Sequence, residues 1–397
     1  MTQRDTSLDM MRFLGVLIVV IAHSGPPSWL FQLRNFGTPL LIVASALTYS
    51  AIYKSRNIEV WEFYRKRLAR LIVPAWIFLT IFFISAYLVS SILDVRYPFS
   101  GEQIFTSYTF YSGIGYVWIL RVYLILALIT PIALRFKNST ESTTNYFLIL
   151  LLAYIFYESA LPHFQSMISE NHLNFFNNVV FTIIPYSILF LYGLRLDEVS
   201  TRRVLQISVL SMTVFAFLAI YYYLEVGKFV KTQSYKYPPQ LYYLSYSILC
   251  LNMTYLLCKT ILVKLIPPKS VVWLSANSLW IYLWHIMAVY LLKYTVGSTQ
   301  GRLGLFLVKC AFILFFSVSI TMVQKFLVRK FVERSDNRVV PEQSNVEKLV
   351  LDPYLAAYSL PQEDHHDTED TSEGEVFPID MPESPGYAAP LSRQRQQ

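Results

Sequence analysis

The sequence predicts an all-α integral membrane protein, with about ten transmembrane helices in one bundle over residues 1–334 and a disordered acidic tail over 335–397. Two observations carry this. Of 397 residues, 54% are hydrophobic and only 15% are charged, well short of the roughly one quarter found in soluble domains. Apolar stretches long enough to cross about 30 Å of hydrocarbon as helices recur from Met11 to about Val328. A closed barrel is excluded: its strands alternate lipid-facing and lumen-facing residues, whereas a stretch such as Leu68 to Leu93 is apolar all round.

The first helix, near 11–25, continues a charged start and stops before Pro26 and Pro27 with no small-residue cleavage pattern, so it is expected to stay as a span. The second, 36–53, precedes Lys54 and Arg56, and the third, 68–93, follows Arg65, Lys66 and Arg67. The fourth, 115–134, stops at Arg135 and Lys137; the fifth is placed at 144–161, and the sixth, 178–194, stops at Arg195. The seventh, 204–224, follows Arg202 and Arg203, and the eighth, 238–263, precedes Lys264. The ninth, 271–293, follows Lys269, and the tenth covers 303–328. These basic residues all fall on one side, against few on the other, which makes that side cytoplasmic and puts both termini there. No internal repeat and no broken helix pair is read.

Past residue 334 the tail holds thirteen Asp and Glu against Arg338, Lys348, Arg393 and Arg395. Its net charge of −9 hides +16 on the membrane body behind a total of +7. Basic residues at a membrane face serve topology and anionic membrane lipid, so nucleic acid is not implied. Cys250, Cys258 and Cys310 lie in apolar segments without metal spacing, and His365 and His366 lack companions, so no metal is expected.

Ionisable side chains within spans are costly and are therefore candidates for function. Arg12 and His23 are eleven residues apart, which on a helix returns to within about 20° of the same face and separates them by about 16 Å. Asp9, three residues before Arg12, joins that face. A nucleotide thioester gripped at Arg12 would reach His23 along this stripe, and an imidazole titrating near neutrality can take the proton of an attacking hydroxyl. Arg67 and Arg70 are three apart at the mouth of the third helix and suit a pyrophosphate, or simply anchor the helix. Ser278, Tyr282 and His285 form a polar stripe on the ninth helix, with His285 either binding acceptor or orienting a neighbour. Arg121, Glu158 and the aromatic segment Lys236 to Tyr243 are lesser candidates for holding a sugar.

These residues resemble the acyltransferase 3 family of membrane O-acyltransferases, which modify bacterial surface and exported polysaccharides. The carriers are Leu8-Asp9-Met10-Met11-Arg12 with His23, the Arg67 and Arg70 pair before Pro74, Trp118 with Pro131, Tyr237-Pro238-Pro239, and the Ser278 to His285 stretch. The resemblance implies a ten-helix fold in the inner (plasma) membrane, with cytoplasmic acyl-coenzyme A as donor. It implies His23 as catalytic residue supported by Asp9, with Arg12, Arg67 and Arg70 around the donor. The acceptor would be a hydroxyl of a glycan or lipid-linked saccharide, the acyl group acetyl or succinyl, and the partners glycan-assembly proteins. Two features depart from the family: Ala46 stands in the second helix where a Ser-Gly pair is usual, and no hydrolase-like domain follows the tenth helix. A transporter or flippase whose charged residues line a path, and a scaffold for glycan assembly, are the competing readings.

Overall fold

The computed structural model describes residues 5–54, 58–265, 268–295 and 303–336. Among these residues there are helices and no β-strand. The acidic tail lies outside the described residues except for its first two positions, which end the last helix.

Helix α1 (Thr6–His23) starts earlier than its apolar pattern because Asp5 caps it, its carboxylate accepting from the Ser7 amide at 2.9 Å. It ends at His23, where Gly25 takes a left-handed φ of +73° and two prolines follow. A short α2 (Ser28–Leu33) leads into α3 (Gly37–Ile52). Helix α4 (Val60–Ile92) also starts early, since its opening turns are amphipathic and carry a Glu62–Lys66 pair at 2.6 Å. Helix α5 (Gly101–Tyr108) is a further element, opened by a reciprocal Ser100–Gln103 capping box. Then come α6 (Trp118–Ser139), α7 (Thr143–Met167) and α8 (Glu170–Phe175), which passes through a π-helical turn into α9 (Phe181–Leu196). Helices α10 (Thr201–Val226) and α11 (Leu241–Leu257) follow, the latter running through a second π turn into α12 (Val263–Leu265). The chain closes with α13 (Pro268–Ala276), α14 (Ser278–Thr295) and α15 (Leu303–Asp336).

Among the described residues nine helices are long and apolar enough to cross a membrane, or ten if α13 and α14 count as one bent span. The protein is a multi-pass membrane protein. The bend is a correction to the continuous ninth helix expected over 271–293: the chain turns by 69° at Asn277. At the turn the Trp273 carbonyl accepts from both the Asn277 backbone N–H at 3.1 Å and its side-chain amide at 2.8 Å, while the Asn277 carbonyl accepts from the Ile281 amide at 3.0 Å.

Apolar side chains cover the outside as well as filling the core. Large apolar side chains on α7, α10 and α15, such as Phe156, Leu224 and Phe315, stand outward where lipid satisfies them. The interior is α1, α3 and α9, with α3 packed between the other two. That contact depends on small residues. A Cβ on Gly193 of α9 would come within 2.8 Å of the Ala46 Cβ and 3.2 Å of the Val43 carbonyl oxygen of α3, so the Ala46 departure lies at the tightest part of this interface. Gly193→Ala is expected to lower thermal stability in detergent by about 1–3 kcal/mol, as overpacking does. Adding Ala46→Gly should restore part of the loss, because the backbone contact to Val43 remains. Equal melting of all three proteins would refute this packing account.

Candidate active site

Because α1 is unbroken, the helix rise holds and Arg12 and His23 sit about 16 Å apart along one face. That face looks toward α6 and the segment leading into it. The Tyr116 ring meets the His23 ring edge-on at 5.0 Å, and Tyr123 of α6 has Arg12, Ser45 and Tyr49 around its hydroxyl.

At the Arg12 end polar groups gather from α1, α3, α4, α6 and α13. Arg12 is 5% exposed, lies 3.9 Å from Asp9 and donates to the Thr48 hydroxyl, which in turn donates to the Ala44 carbonyl. Asp9 accepts from the Ser275 hydroxyl at 2.6 Å, tying α1 to the last turn of α13, just before the bend. Arg67 donates to the Tyr49 hydroxyl and stacks over the same ring at 4.3 Å. Lys137 of α6 donates to Ser50 at 2.7 Å and pairs with Glu198 at 2.8 Å. Thus Thr48, Tyr49 and Ser50, consecutive on the C-terminal end of α3, each hold one cation, where the helix dipole favours positive charge. Arg70, a turn beyond Arg67, is half-buried.

At the other end His23 keeps part of its surface open, while His285 is fully buried. The His23 Nδ1 and His285 Nε2 atoms are 3.0 Å apart, and the two rings lie within 22° of one plane. His285 Nδ1 is bonded to the Tyr282 carbonyl. The two imidazoles meet directly. Among the described residues no third His, Cys, Asp or Glu is grouped with them as a metal site would require.

Tyr282 and Tyr290 of α14 pin the segment between α5 and α6. Tyr282 donates to the Tyr116 carbonyl at 2.5 Å, and Tyr290 to the Ile114 carbonyl at 3.1 Å. Gly113 and Gly115 take positive φ there, and a Cβ on Gly113 would fall within 2.5 Å of the Ser107 backbone, so the glycine lets the segment fold back on the end of α5. Losing a buried hydroxyl leaves its carbonyl unsatisfied, at a cost of about 1–3 kcal/mol. Tyr282→Phe combined with Tyr290→Phe is therefore expected to speed amide hydrogen exchange over 110–117 and leave exchange in α9 unchanged. Unaltered exchange in that segment would show that the two hydroxyls do not hold it.

Ser278 is buried at the start of α14. Arg121 donates to the Tyr111 and Asn178 carbonyls at 2.8 and 3.0 Å, joining the pinned segment to the π turn before α9. Glu158 accepts from Tyr154 at 2.8 Å and from the Leu241 amide at 3.1 Å, anchoring the start of α11. Both contact sets tie chain segments together. Lys236 is buried and lies 5.3 Å from the Tyr237 ring centre, which packs edge-on against Trp118. Of the residues not singled out from the sequence, Tyr116 and Lys137 matter most: a glycine pair precedes the first, and the second reads as one more membrane anchor.

Compared with known proteins, the chain matches a family model described as an acyltransferase domain, of the acyltransferase 3 type, over residues 5–322. Neither a curated protein nor a solved structure matches it.

Proposed function

The chain belongs to the acyltransferase 3 family and is a membrane acyltransferase, and on that premise we propose that it moves an acyl group, acetyl by family habit, from acyl-coenzyme A to a hydroxyl of a glycan or lipid-linked saccharide. The observation that carries the reading is the single α1 face with Arg12 at one end and a partly open His23 at the other. Arg12, Arg67 and Lys137, gathered on consecutive residues of α3, suit the phosphates of the nucleotide. Arg70 adds charge to the same mouth, and Asp9 holds Arg12 in place.

With the phosphates at that mouth, the pantetheine arm follows α1 toward His23. The acceptor approaches from the opposite side, where α1 ends. His23 takes the proton of the acceptor hydroxyl as its oxygen bonds to the thioester carbonyl carbon. The carbon–sulfur bond then breaks, and the same proton passes to the departing thiolate, leaving an ester and free coenzyme A. The basic mouth is the cytoplasmic side in this reading, the membrane is the inner (plasma) membrane, and glycan-assembly proteins are the natural partners.

The bent α13–α14 pair favours one competing reading, a transporter or flippase, since discontinuous helices recur in transporters. Purified protein in nanodiscs, given radiolabelled acetyl-coenzyme A and candidate glycans, should label the glycan. Uptake of a labelled saccharide into proteoliposomes without acyl donor, together with no transfer, would overturn the proposal in favour of transport.

A further inference from the structure

We propose that His285 is a positioning residue that locks His23 into the tautomer with its hydrogen on Nδ1 and none on Nε2. The inference rests on the reading of His23 as the base and deepens it. The Tyr282 carbonyl can only accept, so His285 Nδ1, bonded to it, must carry a hydrogen. In a neutral imidazole the second nitrogen is then an acceptor, so His285 Nε2 presents a lone pair. The 3.0 Å contact to His23 must therefore be filled by a proton on His23 Nδ1. His23 Nε2 then carries no hydrogen, which is the protonation state a base requires.

The ring geometry supports a true bond. The centroids are 5.2 Å apart and the nearest nitrogens 3.0 Å, a difference that two ring radii account for when rings meet edge to edge. The donor hydrogen then lies in the plane of the accepting lone pair. Tyr116 packs edge-on against His23 at 5.0 Å and against His285 at 6.3 Å, blocking rotation of either ring out of that plane. The opposite proton placement would face the His285 Nδ1 lone pair with the carbonyl lone pairs of Tyr282. His285 is wholly buried and cannot exchange that carbonyl for water. The device is carried by α14 alone, because the carbonyl belongs to the residue three positions earlier on the same helix.

Two variants separate the acceptor from the bulk. His285→Met fills the space without a nitrogen; His285→Gln keeps an acceptor oxygen near the Nε2 position. In full-length protein labelled with ¹⁵N-histidine in nanodiscs, His23 is expected to carry its proton on Nδ1 in the parent and in H285Q, and to shift toward Nε2–H in H285M. In the transfer assay H285M should lower kcat by about 10²-fold or more, a large part of what base catalysis contributes, with KM for the donor unchanged, and H285Q should recover most of it. A parent His23 protonated on Nε2 would overturn the assignment, as would an H285Q as impaired as H285M. If H285M does not fold, H285Q alone decides, since its His23 must stay protonated on Nδ1. Confirmation of the tautomer with undiminished transfer by His23→Ala would reject the base reading itself, a result the spectra distinguish from failure of the pairing.

Discussion

Replacing His23 with alanine is expected to remove transfer to the acceptor while donor binding survives. The imidazole sits at the far end of α1 from the cations that suit the nucleotide, about 16 Å along the helix. Its loss therefore leaves in place Arg12, Arg67 and Lys137, the cations proposed to hold the phosphates. What disappears is the proton acceptor. General base assistance is worth about 10²–10⁴ in rate, so kcat should fall by at least that lower figure, with the dissociation constant for acetyl-coenzyme A unchanged. The side chain is half-buried at the end of a helix, and its removal takes the donor from the buried His285 Nε2, a cost of about 1–3 kcal/mol, so the variant should purify folded but melt lower. Undiminished transfer would eliminate His23 as the base. A parallel loss of donor affinity would place the imidazole in the donor site.

The sequence contains part of this arrangement and omits the rest for identifiable reasons. The shared face of Arg12 and His23 follows from eleven helical steps and needs nothing beyond an uninterrupted α1, which the structure has. The polar stripe Ser278, Tyr282 and His285 follows in the same way, because α14 is continuous from Ser278. Their meeting does not follow, since it depends on the turn at Asn277, and no proline or glycine marks that break. Tyr116 is illegible because its place beside His23 is fixed by hydrogen bonds from Tyr282 and Tyr290, residues far away in the chain. Lys137 reads as a topology signal, and only the closeness of α3 to α6 reveals that it holds Ser50. The capping box that opens α5 was readable in principle. It stands outside any apolar stretch, and hydropathy does not reach it.

The second large effect is expected at Arg12, where stability and donor binding are coupled and must be separated. Arg12→Met keeps the volume and removes the guanidinium from beside a carboxylate that is 3% exposed. Breaking a buried pair from one side typically costs about 3–5 kcal/mol, since the remaining charge stays desolvated. The 3.9 Å separation and the Ser275 hydroxyl still bonded to Asp9 argue for the lower end of that range. Adding Asp9→Asn removes the stranded charge while keeping an acceptor for Ser275, so Asp9→Asn/Arg12→Met should recover most of the thermal stability. Donor affinity behaves differently if Arg12 grips phosphate. A lost charge-assisted contact is worth about 1.5–3 kcal/mol, or roughly tenfold or more in dissociation constant, and no change at Asp9 can restore it. Calorimetric binding of acetyl-coenzyme A to the stable double variant therefore isolates the contact: weak binding identifies Arg12 as a donor residue, and full affinity would reduce it to a partner of Asp9 and Thr48 that only holds α1 against α3.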